Sequence, residues 1–190
     1  MTDRTQPVGG FVSSSLTSVH DWAMWSLVRG DFTDPDGEKF ERRFVVSPGA
    51  VGAVAVDDSP HQRVVLVRQY RPALHRITLE IPAGMRDKEG EDPRVTAERE
   101  LREEVGLEAG EWTRLGKHVS APGISDSRVE IFLARQLRRG ALDRHGPEER
   151  HMTVEEIPLV EALEMVVDGR IDDAKTVIGL LLADRLLRRG

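Results

Sequence analysis

Glu100, Glu103 and Glu104 are the residues of this chain whose spacing points most directly to chemistry. A helix advances about 100° per residue. With Glu100 at zero, the other two acids fall within roughly 60° on either side of it, on one arc. Ala97, Leu101 and Val105 fall at roughly 60° to 140°, a narrow apolar stripe beside that arc. Glu100 and Glu104 are like charges four residues apart, which costs a helix about 0.2–0.5 kcal/mol. Three carboxylates at the edge of a core ask for a compensating cation, and hard divalent ions with carboxylate, carbonyl and water ligands answer that need, Mg2+ first among them. Glu91 precedes the helix and can fold back to the cluster, and Arg99 on the Glu103 flank can orient a carboxylate. The other reading of such an arc is a solvated charged face, and the spacing alone does not choose between them.

The elements that must position these groups follow from the punctuation of the chain. Asp92-Pro93 opens a helix over 93–105 and Gly106 closes it. Ahead of it, Val-rich runs at 51–56 and 64–69 flank the turn Asp57-Asp58-Ser59-Pro60, and a short strand at 79–81 stops at Pro82-Ala83-Gly84. Behind it, 112–119, 129–137 and 154–157 read as strands, 140–150 as a polar loop, and 160–167 and 174–187 as amphipathic helices. At the front, residues 1–19 are rich in Ser, Thr and Gly and are expected to be flexible. The apolar segment 22–28 and the extended run 40–46 then form a β-hairpin around the turn at Asp34-Pro35-Asp36-Gly37. This order predicts an α+β fold, an α-β-α sandwich around a mixed sheet. An arm spans 20–47 and the main domain 48–190.

Composition narrows the function. A chain of 190 residues suits one core with an arm, and 39% hydrophobic against 32% charged residues excludes wholesale disorder. A net charge of −6 argues against a general nucleic-acid binder, which works by neutralising phosphates. The absence of cysteine excludes disulfides, thiolate metal sites and cysteine nucleophiles. No apolar run approaches the ~20 residues of a membrane span, and residues 1–10 lack the apolar core of a signal peptide. The expectation is a cytoplasmic protein with a small-molecule substrate and neither a nucleic-acid nor a membrane partner.

The acidic helix belongs to a longer pattern: Gly84, six residues, Glu91, seven residues, then Arg99-Glu100-Leu101-x-Glu103-Glu104-x-Gly106-Leu107. This resembles the signature of the Nudix hydrolases at every position from Glu91 onward. It carries one extra residue between Gly84 and Glu91, where the usual pattern has five. The resemblance covers roughly 45–187. It implies the sandwich fold and hydrolysis of a nucleoside diphosphate linked to another moiety. Carried over by position, Glu100 and Glu104 are the principal metal ligands, with the backbone carbonyl of Ala83. Glu103 is a further ligand or holds a metal-bound water, and Arg99 orients the glutamates. Mg2+ is the implied cofactor, with Mn2+ as a substitute.

Features outside the signature resemble the ADP-ribose pyrophosphatase branch. Val67-Arg68-Gln69-Tyr70-Arg71 precedes Leu79-Glu80-Ile81-Pro82-Ala83-Gly84, and Ala121-Pro122-Gly123-Ile124-Ser125-Asp126 follows, with Pro122 sixteen positions after Gly106. The resemblance implies hydrolysis of ADP-ribose to AMP and ribose 5-phosphate by a homodimer that exchanges its N-terminal hairpin. In it, Trp25 (or Trp22) stacks on adenine, and Arg43 and Arg71 grip the diphosphate or terminal ribose. Glu80 and Pro122 belong to the substrate site, and Met85 packs on the base. The catalytic base is Glu149, with Glu148 beside it, on the loop before the last strand. A nucleotide sugar, NADH or another nucleoside diphosphate derivative is the alternative substrate. A ligand sensor of the same fold usually loses such carboxylates, all three of which are present here, and in a scaffold the acidic helix would be only a surface.

Overall fold

The computed structural model describes residues 6–141 and 150–189. The chain divides into two compact units. One holds the N-terminal residues to 49 together with 119–128, and the other holds 50–118 and 129 onward.

The first unit is a three-stranded antiparallel sheet in the order β1 (Val12–Trp22), β2 (Trp25–Thr33), β3 (Lys39–Val46). The β2–β3 hairpin is the one expected around Asp34, whose carboxylate accepts the backbone N–H of Asp36 and Glu38 at 3.0 and 2.8 Å. Two expectations are corrected. The apolar segment 22–28 is split by a turn at Ala23, whose φ is 46°, so that Trp22 and Trp25 face each other across two strands. Residues 12–19, read as flexible, form most of β1, because β2 supplies hydrogen-bond partners that a local reading of a Ser/Thr-rich stretch does not see. The segment 119–128 joins this unit through β3: Val45 donates to the Ile124 carbonyl at 2.9 Å, and Ser47 N–H to the Asp126 carboxylate at 3.0 Å.

The second unit is a mixed sheet between helices. The strands run β10 (Thr153–Pro158), β5 (Arg63–Arg71), β4 (Ala50–Val56), β9 (Arg128–Arg139), β8 (Leu107–Val119), with β6 (Arg76–Glu80) on β5 and β7 (Ala83–Met85) on β4. β4 and β9 are parallel, while β4 pairs antiparallel with β5 and β7. The alternation of β4 sorts the two faces. Ala53 and Ala55 pack with Leu101 of helix α1 (Pro93–Val105), and small side chains let that helix approach closely. Val54 and Val56 pack in the cluster of Leu159, Ala162 and Met165 from α2 (Leu159–Val167) and Leu180 and Ala183 from α3 (Ala174–Leu187). This is the α-β-α sandwich. No helix among the described residues is long and apolar enough to cross a membrane.

Candidate active site

Helix α1 is fixed at both ends. The Asp92 carboxylate accepts the Arg94 N–H at 2.8 Å, Pro93 takes the first position, and Gly106 ends the helix at a φ of 66°. Burial of Ala97 and Leu101 then sets the acidic arc along the rim of β7. Glu104 is 5% exposed and accepts the backbone N–H of Ala83 at 2.9 Å. The Glu100 carboxylate lies over Gly84 so closely that a Cβ at that glycine would stand 2.0 Å from Glu100 Cδ. Gly84 is therefore required by proximity. Both Ala83 and Gly84 are held by pairing of β7 with β4.

The Arg99 guanidinium stands among the acids. Its Nη1 lies 2.8 Å from Glu100 Oε1 and donates to Glu103 Oε2 at 3.0 Å. Its Nη2 donates to Asp87 Oδ1 at 2.9 Å and lies 3.9 Å from Glu91 Oε2. Burial acts to lower its pKa, but the charges of Glu100, Glu103 and Asp87 outweigh it and raise the value above the ordinary one. Glu91 is aimed here by Thr96, whose hydroxyl donates to Glu91 Oε2 at 2.8 Å. The six-residue spacing after Gly84 thus still delivers Glu91 to the cluster. Asp87 has no counterpart in the sequence reading.

A second charged group lies where β5 and β6 end. Arg71 donates from Nε and Nη2 to the two Glu80 oxygens at 2.8 and 2.7 Å. The Thr78 hydroxyl donates to Glu80 Oε1 at 2.6 Å, and Lys175 of α3 also pairs with Glu80. Burial pushes the Glu80 carboxyl up, but Arg71, Lys175 and Thr78 together lower its pKa to about 2. Arg71 is raised above its ordinary value, first by its hydrogen bonds to Glu80 and in part by the charges of Asp173 and Glu104. It lines a cavity of about 360 Å³ with Leu74, Arg76, Thr78, Asp172 and Asp173. Glu80 was expected to touch substrate. It lines the same cavity as Arg71, is 2% exposed, and its carboxylate is gripped by Arg71, Thr78 and Lys175.

In the first unit, Arg43 and Pro122 line one cavity of about 520 Å³ with Phe32, Phe40, Phe44 and Arg128. Trp25 does not line that cavity; it stacks with Trp22, ring centroids 6.2 Å apart. Met85 is half-buried in β7. Glu148 and Glu149 lie outside the described residues.

The donors around α1 suit a hard divalent cation, since Glu100, Glu103, Glu104 and the Ala83 carbonyl offer only oxygen and the bare Cα of Gly84 leaves the Glu100 carboxylate its space. Among the described residues, no three acid or imidazole side chains are gathered tightly enough to enclose an ion, and Arg99 supplies the countercharge.

A family model described as NUDIX domain matches residues 46–176. An ADP-ribose pyrophosphatase of Mycobacterium tuberculosis (strain ATCC 25618 / H37Rv) is 39% identical over 171 residues, covering 90% of this chain and 82% of that protein. An ADP-ribose pyrophosphatase of Bacillus subtilis (strain 168) is 38% identical over 146 residues, 77% of each. Among solved structures, an ADP compounds hydrolase superposes with a TM-score of 0.81 at 22% identity, covering 97% of both chains, a likeness of fold.

Proposed function

The chain belongs to the NUDIX domain family, and from that premise we propose that it hydrolyses the diphosphate of ADP-ribose to AMP and ribose 5-phosphate with bound Mg2+, for which Mn2+ can substitute. One observation carries the reading: a single unit holds both an acidic rim built around Gly84 and Ala83 and an Arg71 cation within the electrostatic reach of Glu104. The first suits metal, the second a diphosphate. The substrate is supported by the two ADP-ribose pyrophosphatases found among the relatives of 38–39% identity.

In this reading Glu100, Glu104 and the Ala83 carbonyl hold the cation, and Glu103 is a further ligand or holds a water. Bound metal would neutralise phosphate oxygens and lower the pKa of the attacking water. Arg99, which bridges Glu100 and Glu103, offsets their mutual repulsion and orients both carboxylates. Arg71 spends two of its N–H groups on Glu80 and offers the rest to the diphosphate, for which a planar guanidinium is suited. Arg43 and Pro122 meet the substrate from their shared cavity, Trp25 stacks on adenine, and Met85 packs on the base. A carboxylate must accept the proton of the attacking water, and Glu149, with Glu148 as its neighbour, takes that role.

The assembly in this reading is a homodimer in the cytoplasm, formed through the N-terminal sheet. Its support is β1, which is exposed along nearly its whole length and has β2 as its sheet neighbour. The test of substrate is kcat/KM across ADP-ribose, a nucleotide sugar and NADH with Mg2+. ADP-ribose should be preferred by at least about tenfold. An inert ADP-ribose beside a cleaved nucleotide sugar would overturn the substrate and leave the family standing.

A further inference from the structure

Lys175 and Arg71 reach one buried carboxylate from distant parts of the chain. Lys175 sits in the first turn of α3, is 13% exposed, pairs with Glu80 and donates to Asp173 Oδ2 at 3.0 Å. Asp173 is itself fixed, because it caps α3 by accepting the Thr176 N–H at 3.0 Å and the Thr176 hydroxyl at 2.6 Å. The Thr176 oxygen accepts the backbone N–H of Ile81 at 2.9 Å. The start of α3 is thereby tied to the backbone next to Glu80 as well as to its side chain.

We propose that Lys175 is a positioning residue for substrate binding: acting through Glu80, it aims the Arg71 guanidinium at the diphosphate. This rests on the reading of Arg71 given above. Arginine has five donors, and the two on Nε and Nη2 go to Glu80. The direction of the remaining three is set by the plane in which Glu80 holds the fork. That plane is set in turn by whatever else grips Glu80, namely Thr78 on one oxygen and Lys175 on the other. A carboxylate at 2% exposure cannot replace a lost partner with bulk water, so removing Lys175 turns it toward its other donors and the guanidinium follows. Lys175 also draws on the negative charge that Arg71 would otherwise face alone, which leaves Arg71 with more positive charge for its ligand.

Lys175→Met keeps the length of the stem and removes the charge. With the holoenzyme and ADP-ribose, KM should rise about tenfold while kcat and the Mg2+ midpoint stay within about threefold. Lys175→Arg, which restores charge and donors, should bring KM back to within about threefold of the parent. The deciding arm is a cycle with Arg71→Ala: in that background Lys175→Met should change KM by less than about twofold. Additive effects, or an unchanged KM in Lys175→Met, would overturn the proposal. If Lys175→Met does not fold, Lys175→Gln serves in the same cycle with the same criteria. An Arg71→Ala variant with the parent KM would overturn both the role of Arg71 and this inference, whereas a parent enzyme inert toward ADP-ribose would show that the substrate reading itself had failed.

Discussion

Replacing Gly84 by alanine separates the chemistry of the site from its stability. The new Cβ would stand 2.0 Å from Glu100 Cδ and 2.3 Å from each of its oxygens. Non-bonded carbons settle near 3.5 Å, so the carboxyl must retreat by about 1.5 Å. Gly84 is not among the residues of positive φ, so alanine can take its backbone conformation. What it displaces is the end of a flexible side chain, and that movement is cheap. Stability should therefore change by no more than about 0.5 kcal/mol. A catalytic group misplaced by ~1 Å costs about a hundredfold in rate, or about 2.7 kcal/mol of barrier. The assay is steady-state hydrolysis of ADP-ribose across a Mg2+ titration, paired with thermal melts. The expected result is kcat down about a hundredfold, a higher Mg2+ midpoint and an unchanged melt. Turnover within about threefold of the parent would refute the claim that Glu100 works from its place over Gly84.

Three further outcomes follow from the same geometry. The Glu80 pKa is about 2 in the folded state against an ordinary 4.5. A shift of that size contributes about 3 kcal/mol, complete above pH 4.5 and lost as the pH falls from there toward 2. The stability gap between the parent and Glu80→Gln should accordingly shrink through that window in urea titrations, and a constant gap from pH 7 to about 2.5 would contradict the assignment. Glu149→Gln should lower kcat at least tenfold with the Mg2+ midpoint unchanged, and if neither it nor Glu148→Gln slows hydrolysis tenfold, about 1.4 kcal/mol, the base lies elsewhere. Light scattering at micromolar concentration should give a dimer, and a fully active monomer would contradict the proposed assembly.

What the sequence made legible was local. Asp92-Pro93 and Gly106 bound α1 because a cap is a signal within a few residues, and the acidic arc follows from helical period alone. The Val-rich run of β4 reads as a buried strand because both its faces are covered, by α1 on one side and by α2 and α3 on the other. What was missed depends on partners far along the chain. Val12–Trp22 is exposed along nearly its whole length, and its strand partner is β2, a pairing that no local signal shows. Nothing near Glu80 in sequence foretells its pairing with Lys175, 95 positions away. Asp87 sits in an irregular stretch ahead of α1, and only the folded loop brings it 2.9 Å from Arg99.

The central claim is a metal-assisted cleavage of ADP-ribose by the α1 carboxylates. Its most direct test is product identification for the parent and for Glu100→Gln and Glu104→Gln, with Mg2+ and with chelator. The account predicts AMP and ribose 5-phosphate in equal amounts from the parent with Mg2+, none with chelator, and kcat lowered at least about a hundredfold in both folded variants at saturating Mg2+. Near-parental turnover by either variant, or products other than these two, would contradict it.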